Sequence, residues 1–298
     1  MLAVVLALAS AIGFGTSDFA AGLATRATSV IRVTILDQVT ALLLALIVVP
    51  LASPGGLSAA AAGWGAAAGV AGVAGGMVLY LGFRNAEFSV ASTLSAVGSA
   101  VLSVLAGLLL GERPSVLALA GIGLALPAIA AVSAGSAGSA ASTPEAAGTG
   151  PARPGPTGQH AAGVGYGLVA GLCFALYFVG LNRAGSVSGL WPVLVAQVAA
   201  LIVVVSIGAV TGQLRLPAVG ARLQSALTGA TGVAGTMFFF LASHRGLLAI
   251  TAVITALYPG GTILLARVLL GERLTQVRLA GLSLAAASVA LIAVAGAG

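Results

Sequence analysis

Ten long apolar segments, separated by short connections, constrain this 298-residue chain more than any other feature. Hydrophobic residues make up 59% of the chain and charged residues only 6%, whereas about a quarter of an ordinary soluble domain is charged. Backbone polar groups in lipid must be satisfied within the chain, and these segments do not alternate between apolar and polar residues. We therefore predict an all-α, multi-pass membrane protein with ten transmembrane helices.

The segments divide into two groups of five. They cover residues 2–24, 33–52, 62–82, 90–110, 116–134, 162–182, 190–211, 224–242, 247–270 and 277–296. The connection between the fifth and sixth is rich in Ala, Gly, Ser and Pro, a composition that is typical of flexible linkers. This predicts a first five-helix repeat over 1–134, a linker over 135–160 and a second five-helix repeat over 161–298.

A shift of 160 residues aligns the two halves without a gap. Residues 69–81 match 229–241 at seven of thirteen positions, and residues 105–125 match 265–285 at twelve of twenty-one. The second match includes the same Leu-Leu-Gly-Glu-Arg sequence at 109–113 and 269–273. Because five crossings is an odd number, the second repeat enters the membrane from the opposite side. Inverted repeats of this kind are typical of secondary transporters, which bind substrate near the midplane between the halves.

Five stretches of the sequence form a recognisable pattern: Ser243-His244-Arg245-Gly246, Ala256-Leu257-Tyr258-Pro259, Leu264-Leu265-Ala266-Arg267, Leu270-Gly271-Glu272-Arg273-Leu274 and, in the first half, Leu110-Gly111-Glu112-Arg113. This pattern resembles that of the drug/metabolite transporter superfamily and its EamA-type ten-helix carriers. The first half has Ser99 where the family pattern favours the proline seen as Pro259. The resemblance implies a secondary carrier, commonly an exporter of amino acids, metabolites or drugs, that works without ATP.

Three ionisable residues lie well inside apolar segments: Asp18, Asp37 and Arg267. Placing an ionisable side chain inside the membrane costs free energy, so such residues are candidates for a substrate or ion pathway. At about 1.5 Å per residue they lie roughly 12, 7 and 6 Å deep, all toward the face opposite the termini. We expect them to meet as a paired cluster; the alternative for Asp37 and Arg267 is static pairing or snorkelling at the interface.

Two further features belong to helix breaks and helix ends. Tyr258 and Pro259 precede two glycines in the ninth segment, so we expect a break whose freed carbonyl faces a cavity, or else an ordinary packing kink. Gly111 and Gly271 fit the left-handed conformation found just past a helix. Glu112 and Glu272 follow them, and we interpret these acids as structural caps.

Aromatic and small residues provide the remaining interpretations. Phe14, Phe174 and Tyr80 are candidates for lining a cavity, with lipid contact as the alternative. Glycines repeat at three-residue spacing over 69–75 and again over 229–235. Such small residues are expected to allow close helix packing.

The formal net charge is +6, and all twelve basic residues are arginines scattered singly along the chain. This pattern lacks the basic stripe of a nucleic-acid surface. The sequence has no Walker A motif, no catalytic Gly-x-Ser-x-Gly or His-Glu-x-x-His motif, and one cysteine, Cys173. We therefore expect no cofactor, no metal site and no enzymatic activity.

Taken together, these features predict a transporter in the cell membrane with a small-molecule solute, protons and the lipid bilayer as partners. The alternatives are an intramembrane enzyme that uses Asp18 and Asp37, or a scaffold that transports nothing. Eight loop arginines lie on the face opposite the termini and three on the termini's face, so the positive-inside rule places the termini outside. The solute, the coupling ion, the direction of transport and the oligomeric state stay open.

Overall fold

The computed structural model describes residues 1–53, 55–86, 88–134, 156–270 and 275–295. Within these ranges the chain forms eleven α-helices, which confirms the predicted all-α membrane fold. They are α1 (Leu2–Ala27), α2 (Val30–Ala52), α3 (Ala59–Asn85), α4 (Phe88–Leu109), α5 (Val116–Ala134), α6 (Pro156–Arg183), α7 (Trp191–Val210), α8 (Val219–Ser243), α9 (Leu248–Thr255), α10 (Tyr258–Leu270) and α11 (Gln276–Ala295).

The helices account for the ten predicted segments. Eight stretches of the described chain are long and apolar enough to cross a membrane, and two shorter apolar stretches, Val116–Val132 and Leu248–Thr262, complete the set. The additional helix arises because the ninth segment is divided into α9 and α10.

The break in the ninth segment precedes the proline predicted to cause it. Leu257 donates its backbone N–H to the carbonyl of Ile254 at 3.1 Å, and Gly260 donates to Leu257 at 2.9 Å, so the chain tightens around Ala256 and Leu257. Pro259 then occupies the second position of α10. A missing N–H is tolerated there, since the first N–H groups of a helix have no intrahelical acceptor.

Local side-chain chemistry sets other helix boundaries. Ser58 caps α3 by accepting the backbone N–H of Ala61 at 3.2 Å, as expected for a serine at this position. Gly111 ends α4 with a φ of 90°, which is the left-handed conformation predicted for it. The backbone N–H of Gly111 donates to the carbonyl of Leu108, and the backbone N–H of Glu112 donates to the carbonyl of Gly107. These two bonds form a Schellman motif.

One predicted boundary differs from the structure. Helix α6 begins at Pro156, so residues 156–160 are helical rather than part of the linker. A proline at the first position of a helix has its backbone angle preset for helix formation. The rest of the predicted linker, residues 135–155, lies outside the described residues.

Packing between helices follows the two-fold relationship of the repeats. Helix α1 packs on α8 as α6 packs on α3, and α2 packs on α8 as α7 packs on α3. Three further contacts are each formed by two helices that are equivalent in the two repeats: α2 with α7, α4 with α9, and α5 with α11. The pseudo-two-fold axis between the repeats therefore passes through these three contacts.

Glycines allow the closest of these contacts. A Cβ at Gly69 on α3 would collide with the backbone of Ala196 on α7, and one at Gly229 on α8 would collide with the backbone of Asp37 on α2. Positions 69 and 229 are equivalent in the two repeats. The glycines predicted to serve helix packing therefore do so at both of these positions.

Candidate functional site

A cavity of about 110 Å³ lies between the repeats, and three helices from each repeat line it. Helices α1, α2 and α3 form one wall, and α6, α7 and α8 form the other. The remaining helices contribute no residue to the described lining. The cavity is therefore assembled by both halves of the chain.

The lining follows the 160-residue repeat closely. Six pairs of equivalent positions face the cavity from both sides: Phe14 and Phe174, Ser17 and Tyr177, Asp37 and Gln197, Gly72 and Gly232, Val73 and Val233, and Gly76 and Thr236. A set of equivalent residues can surround one space only if the axis that relates them passes through it. The cavity accordingly lies on the pseudo-two-fold axis.

The two intramembrane acids both line this cavity. Asp18 is nine residues from the end of α1 and Asp37 is seven residues from the start of α2, which at about 1.5 Å per residue is roughly 13 and 10 Å from the helix ends. Asp37 is 8% exposed, and its Oδ2 accepts a hydrogen bond from Nε2 of Gln38 at 3.4 Å. Asp18 and Asp37 thus contribute to the lining of the same cavity from two different helices.

Arg267 does not join the two acids. Its side chain is exposed on α10, three residues before the helix ends, and it is not among the residues that line the cavity. The expected cluster of two carboxylates and one guanidinium is therefore reduced to the two carboxylates. An arginine this close to a helix end can extend its charged group to the interface.

Tyr258 and Pro259 are not among the residues described as lining the cavity. Tyr258 is 5% exposed and packs in a hydrophobic cluster with residues of α1, α4, α5 and α9. Thr262 donates its hydroxyl to the carbonyl of Gly15 at 3.0 Å, which fastens the first turns of α10 to α1. The start of α10 thus packs against α1, and the residues of the break are not among the described lining of this cavity.

The two acids of the first repeat have no acid at the equivalent positions of the second repeat. Gln197 is equivalent to Asp37 and also faces the cavity, whereas Phe178 is equivalent to Asp18 and is buried in the core. The ring of Phe178 contacts Phe14, Tyr177 and Phe239 at centroid distances of 6.2, 5.6 and 4.4 Å. In the described lining, the acidic residues of the cavity therefore come from the first repeat.

Aromatic residues and hydroxyl groups complete the lining. Phe14, Phe174 and Tyr80 line the cavity, which confirms the cavity alternative for all three. Tyr177 and Thr236 share a hydrogen bond of 2.5 Å between their hydroxyl groups, joining α6 to α8. The sequence patterns did not identify Gln38, Gln197 and Tyr177 as polar lining residues. The 160-residue shift could have found Gln197, because it makes this residue equivalent to Asp37.

Glu112 caps a helix of the other repeat. Its Oε1 accepts the N–H of Leu248 at 2.5 Å, and its Oε2 accepts the N–H of Ala249 at 2.9 Å. The capped helix is α9, so the predicted cap joins the two repeats. Gly271 and Glu272, the equivalent pair in the second repeat, lie outside the described residues.

Other hydrogen bonds join the repeats at the same face. The Nε1 of Trp191 donates to the carbonyl of Ser53 at 3.1 Å, and the backbone N–H of Leu190 donates to Oγ of Ser53 at 2.9 Å. Ser58 donates its backbone N–H to Oγ of Ser188 at 3.1 Å. All of these residues lie near helix ends on the side of the termini, as Glu112 does. Hydrogen bonds between the two repeats therefore connect the helix ends on this face of the protein.

The chain matches the EamA-like transporter family over residues 1–134 and 161–294. These two ranges cover most of its length, and the chain belongs to this family of membrane transporters. No curated protein matches it. Twenty-one chains of solved structures match it. One of them, described only as a crystal structure of a protein, is 14% identical with a TM-score of 0.70 over 96% of this chain and 98% of its own.

Proposed function

We propose that this protein is a secondary carrier that exports a small organic metabolite across the cell membrane by alternating access, driven by the proton gradient. The observation that supports this most directly is the cavity on the pseudo-two-fold axis, lined by equivalent residues of both repeats. Substrate sites of inverted-repeat transporters lie near the midplane at such an interface.

The symmetry of the lining supports alternating access. If the two repeats exchange their conformations, each side chain takes up the surroundings of its equivalent, and the cavity opens to the other side of the membrane. The hydrogen bonds that Ser53 and Glu112 accept at the termini's face are then the contacts that must break. Glycine contacts such as that of Gly229 with Asp37 would act as the pivots, since they lie near the middle of the helices.

Proton coupling is assigned to Asp18. Its carboxyl group lines the cavity and has no arginine, lysine or histidine beside it among the described lining residues. An intramembrane carboxyl group in such a position can take up a proton from one side and release it to the other as the cavity alternates. Asp37 is the second group of the same kind, held by Gln38.

Labelling of a cysteine in the cavity tests the alternation itself. Gly76 lines the cavity, and a Cβ at this position would meet no atom within 4 Å, so Gly76→Cys should be tolerated. Replacing the only natural cysteine with Cys173→Ala provides the background. In oriented vesicles, a membrane-impermeant thiol reagent should label this cysteine from both sides, with the ratio depending on the pH gradient. Labelling from one side only, under every gradient, would support the scaffold alternative instead.

The solute and the direction of transport are addressed by a second experiment. An untargeted comparison of metabolites inside and outside cells, with and without overexpression, requires no prior assumption about the substrate. An exporter should deplete its solute inside the cells and enrich it in the medium. Accumulation of a new chemical product, with no change in the distribution of its precursor, would favour the intramembrane-enzyme alternative.

A further inference from the structure

From the residues that line the cavity, we infer that its ligand is a small organic cation that carries an ammonium group. This inference rests on the proposed function, because it assigns a substrate class to the same cavity. Two carboxylic acids, Asp18 and Asp37, line the cavity, and no basic residue accompanies them among the described lining residues. A buried carboxylate without a positive partner is strongly unfavourable, so a ligand that binds the ionised acids must bring the positive charge.

The nearest arginine along α2 does not supply that charge. Arg32 precedes Asp37 by five residues, which at about 100° per residue places the two side chains roughly 140° apart around the helix. Arg32 is absent from the lining, and Arg267 is exposed on α10. Among the described lining residues, no arginine therefore neutralises either acid.

An amide side chain on the opposite wall of the cavity is also available to a ligand. Gln197 is 7% exposed, faces the cavity and forms no hydrogen bond with another described residue. The amide atoms of Gln197 are not among the fully buried polar atoms that lack a partner, so the amide is open to the cavity, from which a partner can come. Its oxygen can accept a hydrogen bond from an N–H or O–H group of a ligand held between Gln197 and Asp37, which are equivalent positions of the two repeats.

The aromatic residues fit the same ligand. Phe14 and Phe174 face the cavity from equivalent positions, and Tyr80 and Tyr177 lie among the same lining residues. Aromatic faces attract ammonium groups, and quaternary ammonium ions in particular, through the negative potential above the ring. The walls can thus bind the alkyl part of the ligand while the carboxylates bind its charge.

The volume of the cavity limits the size of the ligand. Pockets for drug-sized molecules have volumes of about 300 to 1,000 Å³, whereas this cavity has about 110 Å³. The described conformation therefore accommodates an ion of only a few non-hydrogen atoms. This size favours a small amine over a drug-sized cation.

Matched probes separate charge from shape. Choline and 3,3-dimethyl-1-butanol have nearly the same shape but differ by one positive charge, and ethanolammonium and 1-propanol form a second such pair. Binding to the purified full-length protein in detergent is measured by isothermal titration and by the shift in thermal unfolding temperature. We expect at least one cation to bind ten times more tightly than its neutral isostere, and the anion glycolate to bind no better than 1-propanol.

Charge variants complete the test. Asp18→Asn and Asp37→Asn should each reduce the preference for the cation at least threefold, and the double variant should abolish it. Glu145→Gln removes one negative charge from the linker and should leave the preference unchanged. Unfolding temperatures within a few degrees of the parent protein establish that the variants fold.

Two results would overturn the inference: no cation binds better than its isostere, or the double variant keeps the preference. Labelling of the cysteine at position 76 does not depend on the identity of the ligand. If that cysteine is labelled from both sides while cations show no preference, the carrier function stands and only the substrate class is rejected. If it is labelled from one side only while cations are preferred, the substrate class stands as a binding property and the carrier mechanism fails.

Discussion

The carboxylate of Glu112 accepts a hydrogen bond from the backbone N–H of Leu248 across the boundary between the two repeats, with an oxygen-to-nitrogen distance of 2.5 Å. Its second oxygen accepts the N–H of Ala249, so one side chain satisfies two of the N–H groups that begin α9. A negative charge at a helix N-terminus is also favoured by the helix dipole. Gly111 directs Glu112 toward this position, because its left-handed conformation reverses the chain at the end of α4.

The first prediction is that Glu112→Ala lowers the free energy of unfolding. Both charge-assisted hydrogen bonds are lost and the start of α9 is left uncapped, which should cost about 1–3 kcal/mol. The measurement is unfolding in mixed micelles, followed by circular dichroism. Glu112→Gln keeps one oxygen acceptor, so its free energy of unfolding should lie between those of Glu112→Ala and the parent protein. Arg113 is the exposed neighbour, and Arg113→Ala should have the same free energy of unfolding as the parent protein. An unchanged stability of Glu112→Ala would show that the cap contributes nothing.

The second prediction compares two glycines of α8. A Cβ at Gly229 would collide with the backbone of Asp37, whereas a Cβ at Gly220 would meet nothing within 4 Å. Gly229→Ala should therefore destabilise the protein by about 1–3 kcal/mol through overpacking. Gly220→Ala should be neutral or stabilise by up to about 1 kcal/mol. Unfolding of both variants under the same conditions is the measurement, and equal stabilities would contradict the close contact between α2 and α8.

The third prediction concerns the coupling carboxyl group. Asp18→Asn should insert and fold normally, with a stability equal to or above that of the parent protein, since burying an unpaired carboxylate is costly. It should lose transport driven by a proton gradient in proteoliposomes but keep solute exchange without a gradient. Asp37→Asn is the matched variant from the same cavity. If Asp18→Asn retains full gradient-driven transport, the coupling function passes to Asp37.

The fourth prediction is that the linker is dispensable for assembly. Deleting residues 139–155 should preserve membrane insertion and transport, because a segment of this Ala-, Gly-, Ser- and Pro-rich composition is expected to act only as a tether. A second variant, in which the same residues are replaced by Gly and Ser, keeps the length of the tether. Insertion and transport are measured for both. Loss of either property in the length-matched variant would show that the segment has a function of its own.

The fifth prediction is that both termini lie outside the cytoplasm. Three loop arginines, Arg113, Arg183 and Arg245, lie on the termini's face, against eight on the other. Loops rich in arginine usually stay in the cytoplasm. A C-terminal alkaline phosphatase fusion should be active and a C-terminal green fluorescent protein fusion dark. The opposite pair of results would reverse the orientation.

The sequence by itself determined the helical spans and their duplication. Long apolar segments in lipid must form helices, because only a helix satisfies the backbone of an isolated segment. The 160-residue shift established that the repeats are equivalent, and therefore that Asp37 and Gln197, or Phe14 and Phe174, occupy related positions. The depth of Asp18 also followed approximately from the sequence, because the rise per residue along a helix is constant. Asp37 lies farther from its helix end than predicted, because α2 begins at Val30 and includes Arg32.

Tertiary structure alone decided which of these residues meet. The direction in which a side chain points depends on the rotation of its helix against its neighbours, and that rotation is set by close contacts such as Gly229 with Asp37 and Gly69 with Ala196. These contacts bring Asp18 and Asp37 to one cavity and leave Arg267 on the outer surface of α10. The partner of Glu112 is likewise a tertiary result, since Leu248 is 136 residues away in the sequence. Hydrophobicity places a residue at a depth, and packing between helices decides what it touches there.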